Sequence, residues 1–543
     1  MDDEGICREI ISRLSSHSLS RDSLEHVKLE VCRAHHSPVI PKNSALLAAA
    51  LPGERERLRG LLLLKPTRTL SGVAPVAVMT SPAPCPHGKC LPCPGGPDHP
   101  FGTPQSYTGE EPAALRAREH GYDPYAQVRA RLDQFRALGH PVDKAELIVM
   151  GGTMTARPPG YQRWFVSECL RAMNESAGSR VPKGAGIAQG GEGPLWAGSP
   201  SQCTSFEAIA GANETAPVRC VAITFETRPD YCRRDHVEGM LGLGVTKVEL
   251  GVQHTDDRIL DLNRRGCGME DAAEANQLLR DSGFKVGFHV MPNLPGATLA
   301  DDEGMFRALF SDERLRPDFL KIYPTLVTPG SGIEALYREG GYEPYPEPVL
   351  VDLVARAKAL IPPYVRLQRI QRDIPAKLIT AGSIHGNLRQ MAKARLAELG
   401  GSCRCIRCRE AGRRPVEGIP EIRDLSYRCC NGTEHFISTE AGDALIGYAR
   451  LRFPGDPGGA VPADSSLLRE LHVYGPLVPL GQEAGSLEWQ HRSYGSLLLE
   501  RAEELSRTGG FRRMAVLSGI GVRPYYRKRG YVRTGPYMVK EIA

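Results

Sequence analysis

Five short apolar runs, AELIVMGGT, CVAITFETRPD, KVELGVQ, KVGFHVMPNLPG and DFLKIYPTLV, each end in a polar or glycine-rich turn. Helical segments such as AAEANQLLRDSG lie between them. Strands separated by helices pair in parallel, because the helical crossover returns the chain to the end of the sheet where it started. In barrels of this kind the loops at the strands' C-terminal ends carry the chemistry. Nearly every motif discussed below falls on such a loop, which predicts a barrel or partial barrel rather than a nucleotide-binding open sheet. The expected class is a multidomain α/β protein.

At 543 residues the chain is too long for one domain. Residues 1–70 read as a small helical domain: SLEHVKLEVCRAHH and SALLAAALPGERERLRGLLLL carry apolar residues three and four apart, separated by SPVIPKN. Residues 71–375 read as the barrel, opened by the strand TLSGVAPVAVMTS, and 376–435 as a basic, cysteine-bearing linker. Residues 436–543 read as a separate compact α/β domain, with strands DALIGYARLRF and RELHVYGPLV and the helix GSLLLERAEELSR. A stretch from about 176 to 217, rich in Gly, Ser, Ala and Pro, reads as a flexible insertion with little regular structure. Between Arg356 and Arg414, 14 Lys and Arg face 3 Asp and Glu, a local excess of 11 positive charges. Such a run is either a solvated face or a polyanion-binding surface.

The opening MDDEGICREI is acidic and does not read as a signal peptide. No apolar run approaches the ~20 residues of a membrane helix. The expected setting is cytoplasmic and reducing, where the fifteen cysteines hold metal or do chemistry rather than pair. CPHGKCLPC spaces Cys85, Cys90 and Cys93 as C-x4-C-x2-C. Structural zinc takes four ligands, and no fourth cysteine follows nearby, although His87 lies in the loop. Three thiolates on a [4Fe–4S] cluster instead leave one iron open, as reductive cleavage of S-adenosylmethionine requires. Spacing alone leaves both readings open. CRCIRC supplies a second group, Cys403, Cys405 and Cys408, which fits a structural zinc clip, a second cluster or an unmetallated basic loop. Cys429, Cys430 and His435 are the nearest further ligands in sequence.

The downstream motifs decide the first case. CPHGKCLPCPGGP, FGTPQSYTGEEP, YDPYAQVRARLDQFRALGH, MGGT, ETRPDYC, ELGVQ, MPNLPG and LKIYPTLV occur in that order. LVDLVARAKALIPPYVRLQRIQRDIP, ELHVYG, QHRSYGSLLLERAEEL, GVRPYYRKRGY and GPYM continue the series. From about residue 70 to 543 the chain resembles the catalytic subunit of Elongator, a tRNA wobble-uridine modifying family. That family joins a radical-SAM partial TIM-like barrel to a GNAT-type acetyltransferase domain.

The resemblance implies that Cys85, Cys90 and Cys93 hold the [4Fe–4S] cluster, with Gly95 and Gly96 letting the backbone pass close beside it. It implies that Gly151, Gly152 and Thr153 hold the methionine amino group of S-adenosylmethionine. Glu226 then binds a ribose hydroxyl or the methionine portion, or else pairs with Arg228. Gln253 lines the site, and Lys321 and Tyr323 meet the second substrate. Gln490, His491, Arg492, Ser493, Tyr494, Gly495 and Ser496 resemble an acetyl-CoA loop before a helix, with Ser493 standing where the pattern has its first glycine. Of Tyr525 and Tyr526, one faces the thioester or protonates the leaving thiolate, unless both are core packing. Zinc on Cys403, Cys405 and Cys408 would be structural.

The implied reaction uses acetyl-CoA and S-adenosylmethionine to place a carboxymethyl-type group on carbon 5 of the wobble uridine. A 5′-deoxyadenosyl radical takes hydrogen from the acetyl methyl, the acetyl radical adds to the base, and hydrolysis frees CoA. The implied partners are the tRNA anticodon arm, held by the basic run, and an electron donor; the sequence leaves open a homodimer and accessory subunits. The N-terminal helices are a further candidate for tRNA contact. A protein lysine acetyltransferase would leave the cysteines and barrel without a task, and a non-catalytic tRNA-binding scaffold would leave the cysteine loop without one.

Overall fold

The computed structural model describes residues 3–14, 20–63, 69, 72–97, 102–176, 204–456, 459–474 and 494–543. The apolar runs form parallel strands β1 Ala74–Met79, β2 Lys144–Met150, β3 Arg219–Thr227, β4 Lys247–Gln253, β5 Lys285–Val290, β6 Phe319–Ile322 and β7 Arg366–Ile370. They pair in the order of the sequence, and β1 and β7 remain as edges, so the barrel is partial. Along β2, Ala145, Leu147 and Val149 are fully buried against the outer helices, while Lys144, Glu146, Ile148 and Met150 stay half-buried. A strand's alternate residues face opposite sides, so this accessible row is the inner wall of a lumen.

The second sheet contains β8 Glu421–Cys429, β9 Gly432–Ala441, β10 Ala444–Phe453, β11 Ser465–Val473, β12 Arg513–Val516, β13 Val532–Thr534 and β14 Tyr537–Glu541. Its order is β13-β14-β12-β11-β10-β9-β8, antiparallel except for the pair β11–β12. The sheet therefore begins at Glu421, ahead of the expected boundary at 436. Most of β8 is exposed, so it carries no apolar alternation that would mark it as a strand.

This sheet is not separate from the barrel. Phe436, Leu445, Tyr448, Leu467 and Leu517 share one apolar cluster with Val248, Leu320 and Leu367 of the barrel strands. Its other face has its own core, in which Ala449, Leu451 and Met514 pack on Leu498 and Ala502 of the helix Tyr494–Thr508. β10 is consequently buried along both faces, which is why DALIGYARLRF reads as a continuous apolar run.

Charges reinforce the contact. Asp318, just ahead of β6, accepts from Arg469 at 2.8 Å and pairs with Arg280 and Arg450 at 3.3 and 3.4 Å. Glu434 pairs with Arg469 at 2.8 Å and with Arg280 and Arg452 at 3.1 Å. All six side chains are buried.

The N-terminal helices Asp3–Leu14, Arg21–Ala34, Asn43–Ala49 and Pro52–Leu62 enclose a core of their own around Ile10, Val31, Leu46 and Leu58. Arg59 ties them to the barrel by donating to the Gly139 carbonyl at 3.0 Å. Of the expected insertion, 177–203 lie outside the described residues. Its end is regular: Phe206–Asn213 is a helix capped by Ser205, and Ile209 and Ala210 enter the barrel core. Its flanking Gly, Ala and Pro hid that short apolar face.

Candidate functional site

The cysteine loop follows β1 and lies at the C-terminal ends of the strands, on the wall of a cavity of about 710 Å³. Gly152, Thr153, Glu226, Gln253, Lys321 and Tyr323 line the same cavity, so residues from five separate motifs converge there. His87 bridges two of the thiols, with Nδ1 3.1 Å from Cys85 Sγ and Nε2 2.9 Å from Cys90 Sγ. Burial, with Arg228 and Arg265 alongside, pushes the His87 ring down to about 4 and keeps it neutral. The Ser106 hydroxyl sits 3.3 Å from Cys93 Sγ and the Thr153 hydroxyl 3.5 Å from Cys85 Sγ, which places MGGT directly against the loop.

Gly151 and Gly152 both adopt positive φ, +123° and +98°, and a Cβ on Gly151 would lie 2.2 Å from the Thr80 hydroxyl. Glycine is required at this strand end by the backbone itself. Gly95 is needed for a different reason from the one expected. A Cβ there would lie 2.1 Å from the Tyr107 carbonyl oxygen, and one on Gly96 2.7 Å from Gln105 Oε1. The crowding at both positions comes from the 103–107 segment.

The thiols suit a cluster better than a lone ion. Cys85, Cys90 and Cys93 do not all lie within 4.8 Å of one another, whereas Cys403, Cys405 and Cys408 do. Three thiols from one loop on a cavity wall fit a multi-iron group. Gln253 holds φ at +72° and its buried Oε1 has no hydrogen-bond partner among the described residues, leaving an acceptor on the cavity wall for a bound group.

Deeper in the lumen lies a charged relay. Tyr107 donates to Glu226 at 2.7 Å, and Lys321 lies between Glu226, 3.4 Å away, and Glu249. His289 is 3.0 Å from Glu249, and Lys247 donates to it at 2.7 Å. Burial opposes charge on Glu249, but Lys247 and Lys321 outweigh it and hold its pKa well below the usual carboxylate range. Burial also opposes the Lys321 ammonium, yet Glu249 and Glu226 hold it protonated well above ordinary lysine. Glu226, Glu249 and His289 are close enough to hold a metal ion, but the Lys321 ammonium already supplies the positive charge between the carboxylates. Arg228 does not pair with Glu226; its guanidinium grips Asp230 at 2.8 Å. Tyr107, Lys247, Glu249 and His289 were not among the residues expected from sequence. The charges in KVELGVQ, on an otherwise apolar strand, were the available signal.

A second cavity, of about 770 Å³, lies between the C-terminal sheet and the barrel. β11 and β12 pair only from Ser465 to Leu468; beyond that they part, and Glu470–Tyr474 and Leu517–Ser518 border the cavity. Gly495 and Ser496, in the first turn of the helix Tyr494–Thr508, lie on its wall with Tyr525 and Tyr526. Tyr526 is 5% exposed and packs in the sheet's small core. The buried Tyr525 hydroxyl lies beside Gly495 and Ser496 without a partner of good hydrogen-bond geometry, and Arg529 stacks 3.6 Å over its ring. Gln490, His491, Arg492 and Ser493 lie outside the described residues.

Cys403, Cys405 and Cys408 form a tight triad that buried Lys358 and Arg389 face, cations that favour thiolates. Among the described residues no fourth Cys, His, Asp or Glu joins it. The β8–β9 hairpin carries Cys430 to Asn276 and the Arg314 carbonyl, and His435 to Asp424. The basic run is partly neutralised by acids from elsewhere: Lys377 by Glu110, Arg356 by Glu303, Arg409 by Glu440 and Arg414 by Asp443. Arg369, Arg372, Arg407 and Arg413 nonetheless border the first cavity. Burial and the nearby Arg389, Arg413 and Arg366 push Arg407 down to about 10. Among the described residues no helix is long and apolar enough to cross a membrane.

Comparison with known proteins agrees with this architecture. Residues 84–309 match the radical SAM superfamily, 317–398 the radical SAM C-terminal domain and 4–70 the ELP3 N-terminal domain. The chain is 42% identical over 557 aligned positions to the tRNA uridine(34) acetyltransferase of Methanocaldococcus infernus, covering 99% of this chain and 100% of that one. It is 40% identical to human Elongator complex protein 3, covering 98% and 96%. A solved structure of the M. infernus Elp3 lacking residues 1–46 superimposes with a TM-score of 0.72 at 38% identity, over 87% of this chain and 99% of that one. Kinship from end to end, on a fold that sets three clustered thiols at the mouth of a partial barrel, makes this chain a member of the tRNA uridine(34) acetyltransferase and Elongator complex protein 3 family, a radical-SAM enzyme.

Proposed function

We propose that the chain transfers an acetyl-derived, carboxymethyl-type group to carbon 5 of the wobble uridine of tRNA, using S-adenosylmethionine and acetyl-CoA. The observation that supports this reading is that one molecule holds two cavities, one in the barrel lined by three thiols and one beside the first turn of the helix Tyr494–Thr508, and that five residues border both. A lysine acetyltransferase would use only the second.

In the first cavity Cys85, Cys90 and Cys93 would hold a [4Fe–4S] cluster, with Gly152, Thr153 and Gln253 around S-adenosylmethionine. When bound, these groups supply a carbon-centred radical that abstracts hydrogen from an unactivated methyl. The protein's part is positioning and exclusion of water. Leu260, Met291 and Leu294 make the wall beside the loop apolar. The protonated Lys321 is a fixed donor toward a carbonyl or uracil oxygen, and Tyr107 and Glu226 hold it in place. In the second cavity the backbone N–H groups that open the helix Tyr494–Thr508 suit the CoA diphosphate. Tyr525, whose hydroxyl lies beside Gly495 and Ser496 on the cavity wall, is the proton donor for the departing thiolate. The base must leave its stack to enter the barrel, and Arg369 and Arg372 stand at the mouth for the anticodon arm. Zinc on Cys403, Cys405 and Cys408 would brace the segment below β7, where Ile406 bonds to the Val365 carbonyl at 3.0 Å.

Anaerobic incubation with tRNA, reductant, S-adenosylmethionine and acetyl-CoA, followed by mass spectrometry of wobble nucleosides, tests the proposal. A carboxymethyl-type adduct on uridine that requires both small molecules is expected. Acetylated protein with unmodified tRNA would refute it.

A further inference from the structure

The interior of a parallel barrel is ordinarily closed by layers of bulky apolar side chains. Here the inward-facing rows are charged and continue from one end to the other. The first residues of six successive strands, Lys144, Arg219, Lys247, Lys285, Phe319 and Arg366, border the cavity of the C-terminal domain. Further along the same strands, Met150, Thr227, Gln253, His289 and Lys321 border the cysteine-lined cavity. Five residues, Glu146, Lys247, Arg366, Gln368 and Tyr474, border both. The two cavities thus meet end to end through the lumen, with the cysteine loop at one mouth and the second sheet covering the other.

What separates them is a partition of side chains. With its amide oriented to satisfy both ends, Gln368 accepts from Lys247 at 2.8 Å and donates to Glu249 at 3.1 Å. Thr224 donates to Glu146 at 3.0 Å, and Arg366 donates to the Tyr474 hydroxyl at 2.6 Å. Glu146, Arg366 and Gln368 keep partial exposure. Rotamer changes alone would open this partition, without breaking a ladder bond of either sheet. On the approach from the second cavity, the buried polar atoms His472 Nε2 and Ser518 Oγ lack hydrogen-bond partners among the described residues. Buried polar groups are otherwise satisfied in native proteins, so these two point to a ligand that carries its own donors and acceptors.

We propose that the lumen is a passage, and that the acyl-thioester end of the pantetheine arm enters the barrel through it from the strands' N-terminal ends, positioned by Gln368 and Glu146. The inference rests on reading the second cavity as the acetyl-CoA site. The arm is narrow and uncharged and has two amides, matching a corridor lined by the polar side chains Glu146, Lys247, Arg366 and Gln368. Arg529 and Lys528 on the wall of the second cavity would keep the anionic nucleotide end outside.

The test uses CoA disulfide as a probe on the cluster-loaded protein carrying Gln368→Cys, Glu146→Cys or Ser496→Cys. A thiolate at the engineered position attacks the probe, forming one protein–CoA disulfide and releasing one CoA thiol. Peptide mass mapping locates the adduct, and iron content checks the fold of each variant. The two lumen variants lie on different strands, so the loss of one still leaves a test. If the arm reaches the lumen, the thiol introduced by Gln368→Cys or Glu146→Cys should be labelled at least ~10-fold faster than native cysteines, and excess acetyl-CoA should suppress it. Labelling of the Ser496→Cys variant with neither lumen variant modified would overturn the passage while leaving the acetyl-CoA site standing. No labelling in any of the three variants would remove the acetyl-CoA site, and the passage with it.

Discussion

Arg469 and Asp318 form a bidentate pair across the boundary between sheet and barrel, each guanidinium Nη donating to one carboxylate oxygen at 2.8 Å. Asp318 also ties the start of β6 to β5, accepting from the Val286 backbone N–H at 2.9 Å. Both side chains are fully buried.

Asp318→Asn should therefore be severe, since it leaves Arg280, Arg450 and Arg469 with one buried carboxylate fewer. A loss of about 3–5 kcal/mol at pH 7 is expected, as for a buried pair deprived of one member. Burial raises the Asp318 pKa, but the three arginines outweigh it and hold it far below the usual carboxylate range. Its stabilising effect is thus complete above the unfolded carboxylate pKa and is lost as pH falls below it. Chemical denaturation of both proteins should show their difference shrinking below about pH 4. A gap that stays constant down to about pH 2.5, well under the unfolded carboxylate pKa, would contradict the assignment.

Cys90→Ala removes one of three thiols on the cavity wall without touching a strand. Iron bound after anaerobic reconstitution should fall to background and 5′-deoxyadenosine production should cease. The hydrolysis of acetyl-CoA in the second cavity should persist. Full iron content in this variant would exclude the loop as the cluster site.

The two adjacent tyrosines should separate. Tyr525→Phe removes a buried hydroxyl from the second cavity and is expected to lower tRNA-stimulated acetyl-CoA turnover ~10-fold or more. Tyr526→Phe alters a ring packed against Tyr525 and Tyr531 and should leave turnover within about threefold, as expected when no positioned donor is lost. Equal effects of the two would mean that packing, not proton donation, is being measured.

Charge reversal at Arg372 should weaken tRNA binding and reduce the slope of log affinity against log salt by about one contact. Arg372 lies at the cavity mouth over Tyr107 and donates to the Ser106 carbonyl. Arg414 is already paired with Asp443, so its reversal should leave the slope unchanged. Titrations at several salt concentrations distinguish the two.

The barrel was legible because its strands obey a simple pattern, and MGGT, ETRPD and LKIYP mark strand ends by abrupt changes of polarity. What the sequence concealed depends on partners brought from a distance. The excess of cations between Arg356 and Arg414 looked available for a polyanion, yet Glu110, Glu303, Glu440 and Asp443 reach it from four other parts of the chain. Lys247 and Glu249 looked like ordinary strand residues until the sheet curled and made their face a lumen. β8 escaped notice because an edge strand exposed on both faces needs no apolar period. Cys429, Cys430 and His435, the nearest candidates in sequence for a fourth ligand, do not join Cys403, Cys405 and Cys408, because proximity in sequence does not decide to which side a hairpin turns.

The apolar cluster that Phe436, Leu445 and Leu517 share with Val248 and Leu367 has an evolutionary corollary. Recombination that separated the two halves would expose that shared surface on both. A gene divided near codon 420 would yield two polypeptides, each with an oily surface shaped to fit the other, and each would depend on its counterpart to complete its core.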